Sequence, residues 1–376
     1  MKSARFLLIV ILSSFLFVLC KNENVWKPGQ PFPIENLFIG IIHSNDPFTD
    51  KSGYSYAHEL GINEMIKNFN LDESQVIRKV NVFAGDSGAV EETIRDCIAM
   101  GVNVIIAASW DYMEACEKLA DEFPNVIFAH TSGNRHNDKN FTNFSGRVYQ
   151  AKYLSGIIAG LQTKTGKIGF VAPLGIDNSE VTGNLNAFAM GVDKANPYAQ
   201  VYVKVVHSWF DPLGEAEAAR ALIAIGCDII TQNTDSPVPQ IEAQKAGVWG
   251  IGFNTDMSAD APDTILTSVF WNWSVYYTRL IQSIINGTFT TEPWYGSLRD
   301  GIIDLAPLNE NINWDTETQR TIEFERYRIE SGIFGVYSGV METNNGVFIG
   351  KIGERFFDSE IRNNINWYYR NVVVLR

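Results

Sequence analysis

From Leu37 onward the chain alternates short, β-rich apolar runs with amphipathic stretches of helical length, and this rhythm constrains the fold more than any other feature. The order is βαβα throughout. Leu37 to His43, Val76 to Ala84, Asn103 to Ala108 and Asn125 to His130 read as strands. Tyr56 to Phe69, Gly88 to Met100 and Tyr112 to Phe123 read as the intervening helices. Four strands in that rhythm make a parallel sheet. After a polar loop from Thr131 to Asn143 the pattern restarts. Helices are expected at Gln150 to Thr163, Ser179 to Ala195, Glu215 to Ile225 and Val238 to Ala246. Strands are expected at Lys167 to Ala172, Gln200 to His207, Asp228 to Gln232 and Val248 to Phe253. A strand near Thr264 to Phe270, a helix from Ser274 to Asn286 and an irregular tail complete the chain, crossing between the halves again. The reading is an α/β protein of two doubly wound halves.

At 376 residues and 45% hydrophobic content the chain can bury a large core. Its net charge of −13 argues against a partner held through phosphates, so no nucleic acid is expected. Lys2 and Arg5 precede an apolar run from Phe6 to Leu19 that ends at Cys20, which reads as a signal peptide over 1–20. Two outcomes stay open: acylation of Cys20 as a lipid anchor, or cleavage after it. Either way the protein is exported, to the periplasm or the cell surface. Beyond Cys20 stand Cys97, Cys116 and Cys227, an odd set without C-x-x-C spacing. Neither a disulfide framework nor a zinc site is suggested, and Cys97 and Cys227 read as small core residues. Asn140, Asn143, Asn272 and Asn286 each begin an N-x-S/T pattern.

Ligands of open parallel sheets bind beyond the carboxyl ends of the strands, and two facing sheets make a cleft. The stretches to read are therefore Ser44 to Tyr54, Ser109 to Tyr112, His130 to Gly133, Ser208 to Pro212, Asn233 to Pro237 and Asn254 to Ser258. They hold Tyr54, Trp110, Trp209, Phe210, Asn233, Asp235, Asn254 and Asp256. Aromatic rings with carboxylates and amides suit a planar, hydrogen-bonding ligand.

Other chemistries fail on spacing. Gly160 to Lys167 has five residues between its glycines, Ile168 where Ser or Thr should stand, and the wrong order of helix and strand for a phosphate loop. No G-x-G-x-x-G or G-x-S-x-G occurs where a dinucleotide fold or a hydrolase would need it. His58-Glu59 lacks the second His of a zinc-peptidase helix. His43, His130 and His207 all end strands, which places them near the cleft; they read as structural, with hydrogen bonding to a ligand as the alternative. Asp211, Asp235 and Asp256 have no nucleophile or metal cluster beside them, so neither catalysis, metal nor cofactor is expected.

Ser208-Trp-Phe-Asp-Pro212 with Glu215-Ala-Glu, Thr234-Asp-Ser-Pro237, Gly252-Phe-Asn-Thr-Asp-Met-Ser258 and Thr267-Ser-Val-Phe-Trp-Asn-Trp273 closely resemble signatures of the basic membrane protein family, the purine-type substrate-binding proteins of ABC importers. Tyr54 to Gly61, Ser109 to Glu114 and Arg299 to Pro307 look like further motifs of that family, in the same order over about residues 37 to 376. The resemblance implies a type I periplasmic-binding-protein fold with two Rossmann-like lobes joined by a hinge of three crossings. The lobes would be 36–146, with part of 255–303 returning, and 147–254, with part of 304–376. It implies a non-enzymatic monomer that captures a purine base or nucleoside and hands it to a membrane permease. The same clamshell could instead serve a surface receptor. A nucleoside hydrolase would need several aspartates after the first strand, where Ser44-Asn-Asp46 supplies one.

By the same resemblance, Tyr54 is the first-lobe ring that stacks on the base and Trp209 its second-lobe partner, Trp110 is a first-lobe contact, and Asn233 and Asp235 read the base edge. Trp271 and Trp273 would pack the hinge. Two departures stand out. Asn254 occupies the position where nucleoside-binding relatives carry an Asp that clasps ribose, with Asp256 as the residue that would take over or merely cap a turn. The acidic residue expected beside the first-lobe ring is shifted, leaving Asp50 and Lys51 as candidates.

Overall fold

A computed structural model describes residues 27–49, 51–85 and 88–375. The export segment with Cys20, and Asp50, lie outside the described residues. The first half runs β1 (Ile39–His43), α1 (Gly53–Phe69), β2 (Val76–Lys79), α2 (Ala89–Ala99), β3 (Val104–Ala108), α3 (Met113–Glu122), β4 (Ile127–Thr131) and β5 (Phe141–Gly146). β1, β3 and β4 are buried along their whole length, which is why they read as continuous apolar runs rather than as alternation. They pair in parallel, Ile39 against both Val76 and Val104, and Val104 against Ile127.

The second half runs α4 (Val148–Gln162), β6 (Lys167–Ala172), α5 (Ser179–Ala195), β7 (Gln200–Val205), α6 (Pro212–Ala224), β8 (Ile229–Gln232), α7 (Val238–Ala246), β9 (Trp249–Asn254) and β10 (Ile265–Trp271). α4 and α5 are buried nearly all round and touch where each offers a glycine. A Cβ on Gly156 would lie 2.0 Å from Phe188 O, and one on Gly191 2.0 Å from Tyr153 O, so neither helix could carry a side chain there at this spacing.

The chain then recrosses. α8 (Ser274–Ile285) packs on α1, and β11 (Trp294–Gly296) joins β5 in parallel. β12 (Ile303–Leu305) runs antiparallel to β10. Then come α9 (Thr316–Glu330), a hairpin of β13 (Met341–Glu342) and β14 (Phe348–Ile349), α10 (Asp358–Asn363), and β15 (Val372–Val374), which pairs with β7. The sheet orders are β11-β5-β4-β3-β1-β2 and β12-β10-β9-β8-β6-β7-β15. The backbone thus passes between sheets at 146–148, 271–274 and 296–303. Aromatic stacking fills the crossings: Phe144 on Tyr276 at 3.8 Å, and Trp271 on Trp273 at 4.2 Å.

Three expectations need amending. β5 lies partly where the sequence reads as a polar loop, because its polar side chains are buried and two of their donors find tertiary partners. Asn143 Nδ2 donates to Arg135 O and Thr142 Oγ1 to Glu292 O. The tail contains α9, whose charged face hides a narrow apolar stripe at Ile322 and Ile329 and whose start is capped by Asp315 accepting from Thr318 N at 2.8 Å. β2 stops at Lys79 rather than Ala84. Cys97, Cys116 and Cys227 are free and buried. Asn140 and Asn143 are also buried, so those two patterns cannot accept a glycan in the folded protein.

Candidate functional site

A cavity of about 290 Å³ lies between the two sheets, at the carboxyl ends of their strands. The first lobe contributes Ser44 and Asn45 after β1, Phe83 after β2, Ser109 to Asp111 after β3, Ser132 after β4, and Tyr54 from the first turn of α1. The second contributes Glu180 from the first turn of α5, Ser208 to Phe210 after β7, Asn233 and Asp235 after β8, and the ends of β9 and β10 at Phe253, Asn254 and Trp271.

Tyr54 is fixed from two sides. Its Oη lies 3.4 Å from Thr131 Oγ1, and its ring stands edge-on to His58 at 4.5 Å and to Trp273 at 5.9 Å. His58 stacks on Trp273, and Trp273 on Trp271, so a column of rings leads from the interior of α1 to the cavity wall. Trp209 packs against the second-lobe core, and its carbonyl accepts from Asp235 N at 2.9 Å. Trp110, on the turn before α3, is about half exposed, at 49%.

The polar groups are unevenly satisfied. Asn233 is 1% exposed, and neither its Nδ2 nor its Oδ1 finds a hydrogen-bond partner among the described residues. Asn254, in the left-handed region at φ 72°, donates Nδ2 to Asp235 Oδ1 at 2.8 Å, while its buried Oδ1 also lacks a partner among them. Trp271 Nε1 is a third unmatched group. Such orphans are costly in a folded interior, and here they line a cavity. Burial raises the Glu180 carboxyl above its ordinary range, opposed by the Arg362 charge and by the Ser132 hydroxyl, which donates to Glu180 Oε2 at 3.3 Å.

The loop that carries Asn233 and Asp235 is braced from below. Gln232 Nε2 donates to the carbonyls of Thr234 (2.9 Å) and Ser236 (2.6 Å), Gln240 Nε2 donates to Gln232 Oε1, and Ser236 Oγ to Glu215 Oε2. Lys152, wholly buried, donates Nζ to Gln232 O at 2.6 Å and lies over the Phe253 ring at 4.1 Å. Burial pushes its pKa well down.

Tyr54, Trp110, Trp209, Asn233, Asp235 and Asn254 thus line one cavity from both lobes, whereas Asp256 does not reach it. Asp256 is exposed, and its Oδ1 accepts from Ser258 N, which caps the turn. Lys51 is exposed away from the cavity. His130 is buried with Nε2 on Ser109 O at 2.7 Å, His43 is buried against Glu59, His207 is exposed, and none of the three lines the cavity. Sequence reasoning missed Glu180, Phe83 and the cavity face of Trp271. The rule of reading beyond each strand would have found Glu180 had it been applied to β6.

The lobes touch beside this cavity. Gly53 of the first has φ 79°, and a Cβ on it would lie 2.3 Å from Asp235 O of the second.

Two facing sheets with a polar and aromatic cavity at their carboxyl ends define a two-lobed binding protein of the type I periplasmic fold. The chain belongs to the family described as ABC transporter substrate-binding protein, PnrA-like, which matches residues 41–334. It is 31% identical over 344 residues to a purine-binding protein of Brucella abortus, covering 92% of this chain and 95% of that one. It is 27% identical to metabotropic glutamate receptor-like protein K of Dictyostelium discoideum over 71% of this chain, but spans only 38% of that receptor's length. The solved structure of an ABC transporter solute-binding protein from Conexibacter woesei superposes with a TM-score of 0.66 at 23% identity, over 80% of this chain and 98% of that one. Among the described residues no helix is long and apolar enough to cross a membrane.

Proposed function

We propose that this protein captures a purine base or nucleoside between its lobes and delivers it to an ABC-type permease. The observation that carries the reading is Asn233. A buried carboxamide with both donor and acceptor unmatched, flanked by Trp209 and Asp235 in a ring-lined cavity, suits the adjacent acceptor and donor of an adenine N7/N6 edge. The likeness to a purine-binding protein over nearly the full length of both chains supports it. Tyr54 and Trp209 stack on the heterocycle from opposite lobes, and Trp110 closes the rim. Asn254 spends one of its two amide N–H donors on Asp235, leaving one donor and one neutral acceptor rather than a charged carboxylate to meet ribose hydroxyls, so the preference is for the free base.

The moving units are 36–146 with 274–296, and 147–271 with 303–375. The protein is exported through residues 1–20, is held at the periplasm or cell surface with or without a lipid on Cys20, and works as a monomer. A ligand-sensing role without a transporter is the second reading, favoured by the likeness to part of a much longer receptor-like protein. The deciding experiment is mass spectrometry of small molecules released by denaturing freshly purified protein, followed by calorimetry with the compounds found. Recovery of a purine supports the reading; a non-purine ligand that binds while adenine, guanine and their nucleosides do not would overturn it.

A further inference from the structure

The chain beyond the family match is fastened to the second lobe. β15 extends the sheet at β7. The Asn186 amide grips the tail by donating to Trp367 O at 2.7 Å and accepting from Tyr369 N at 2.8 Å. Asn371 Nδ2 donates to Ala189 O at 3.0 Å, and Tyr337 Oη to Gly183 O at 2.5 Å. From that base α10 reaches the first lobe. Arg362 Nη2 donates to Ser132 O at 3.0 Å and to Gly133 O, while its guanidinium lies 4.8 Å from the centre of the Tyr295 ring on β11. Asn134 Nδ2 donates to Asn363 Oδ1 at 3.1 Å, and at the first crossing Arg147 donates twice to Asp358, at 2.9 and 2.6 Å.

The turn that Arg362 holds forms part of the ligand site. Ser132 lines the cavity and donates across the cleft to Glu180, and Thr131, just before it, meets Tyr54 Oη. A second cavity of about 260 Å³ lies between Arg362 and the first one and shares Trp110, Ser132 and Glu180 with it. Arg362 does not line the first cavity, so it acts on that site through the turn and Glu180.

We propose that Arg362 is a positioning residue of the ligand site, which clamps the Ser132–Gly133 turn of the first lobe from an anchor on the second and so holds the cleft shut. Its bonds to that turn form only when the lobes are together, so they favour the closed state alone. Ligand escape must break them and ligand arrival need not, which places their effect in koff rather than kon. The inference goes beyond the purine reading and applies to any occupant of the cleft.

The test uses the full mature chain with adenine as probe and stopped-flow kinetics. It also uses a fluorophore pair at the exposed positions Leu60 and Tyr198, one on each lobe. Arg362→Ala should raise koff about tenfold or more, as expected for losing charge-assisted bonds, with kon within about twofold. Arg362→Lys, which can still donate to the carbonyls, should recover part of that loss. Arg370→Ala breaks an ion pair to Asp193 wholly within the second lobe and should leave koff within about twofold. An unchanged koff in Arg362→Ala, or a loss matched by Arg370→Ala, overturns the proposal. If the parent binds no adenine, the purine reading fails by itself, and the fluorophore distances still decide. A ligand-free Arg362→Ala protein with wider lobe separation than the parent supports the clamp, and an unchanged separation overturns it.

Discussion

Replacing Asn233 by Ala should weaken ligand binding while leaving the empty protein no less stable, and this opposition of signs is what makes the substitution informative. Asn233 is 1% exposed, and both polar atoms of its amide lack partners among the described residues. A buried polar group in that condition costs roughly 1–3 kcal/mol in the folded state, a cost that alanine removes. On the proposed reading the same two atoms make two hydrogen bonds in the complex, of about 0.5–1.5 kcal/mol each. Together these amount to about 1–3 kcal/mol, a loss of roughly five- to 150-fold in affinity at about 1.4 kcal/mol per tenfold. Calorimetric titration with adenine gives the affinity, and urea unfolding without ligand gives the stability. A variant that binds as tightly as the parent would refute the role in edge recognition. One that loses ligand-free stability in step with affinity would show that the amide supports the fold instead.

Three further outcomes follow from the same geometry. Trp209→Ala should cost about 2–4 kcal/mol in binding with the fold intact, from lost stacking and burial, and calorimetry showing parental affinity would remove that ring from the site. Adenine should bind at least as tightly as adenosine because Asn254 offers a sugar only a neutral amide already bonded to Asp235; adenosine tighter by more than about tenfold in parallel titrations would reveal a sugar clasp elsewhere. Burial holds the His130 ring down at about 4, so the unfolded chain takes up a proton near pH 6.5 that the folded one refuses. Stability from this group is therefore complete above pH 6.5 and falls by about 3 kcal/mol on acidification to pH 4. His130→Gln should flatten that part of a urea-unfolding pH profile, and an unaltered slope would place the titration elsewhere.

The strand-helix alternation was legible because β1, β3, β4 and β6 are buried on both faces, and burial leaves an unbroken apolar trace in the sequence. β5 was not, since Asn143 and Thr142 are buried yet polar, and only their tertiary partners make them compatible with a strand. α9 was missed for the opposite reason: too little of it is buried for its period to stand out among charges. In the site, the rings and amides after strands could be found because topology alone sends those loops to the cleft. Glu180 was overlooked on a helix start, and of the two readings of Asp256, a ribose clasp or a turn cap, the structure has its Oδ1 capping a turn. Nothing local in the sequence marks Arg362, whose partners at Ser132 and Gly133 lie some 230 residues upstream.

The contact between Gly53 and Asp235 sets how closely the two lobes approach beside the cavity. A single methyl at position 53 would meet Asp235 O at 2.3 Å, whereas ordinary contact begins near 3.4 Å, so the two halves would have to stop about an ångström short of their present approach. Asp235 N is bonded to Trp209 O, which ties that stopping point to the placement of a ring. A gap widened by 0.5–1 Å forfeits roughly a quarter to a half of the dispersion attraction of each contact across it. The bare backbone at Gly53 therefore works as a shim of fixed height. It lets the jaws come together as far as they do, and thicker residues there would turn a vice into a loose drawer.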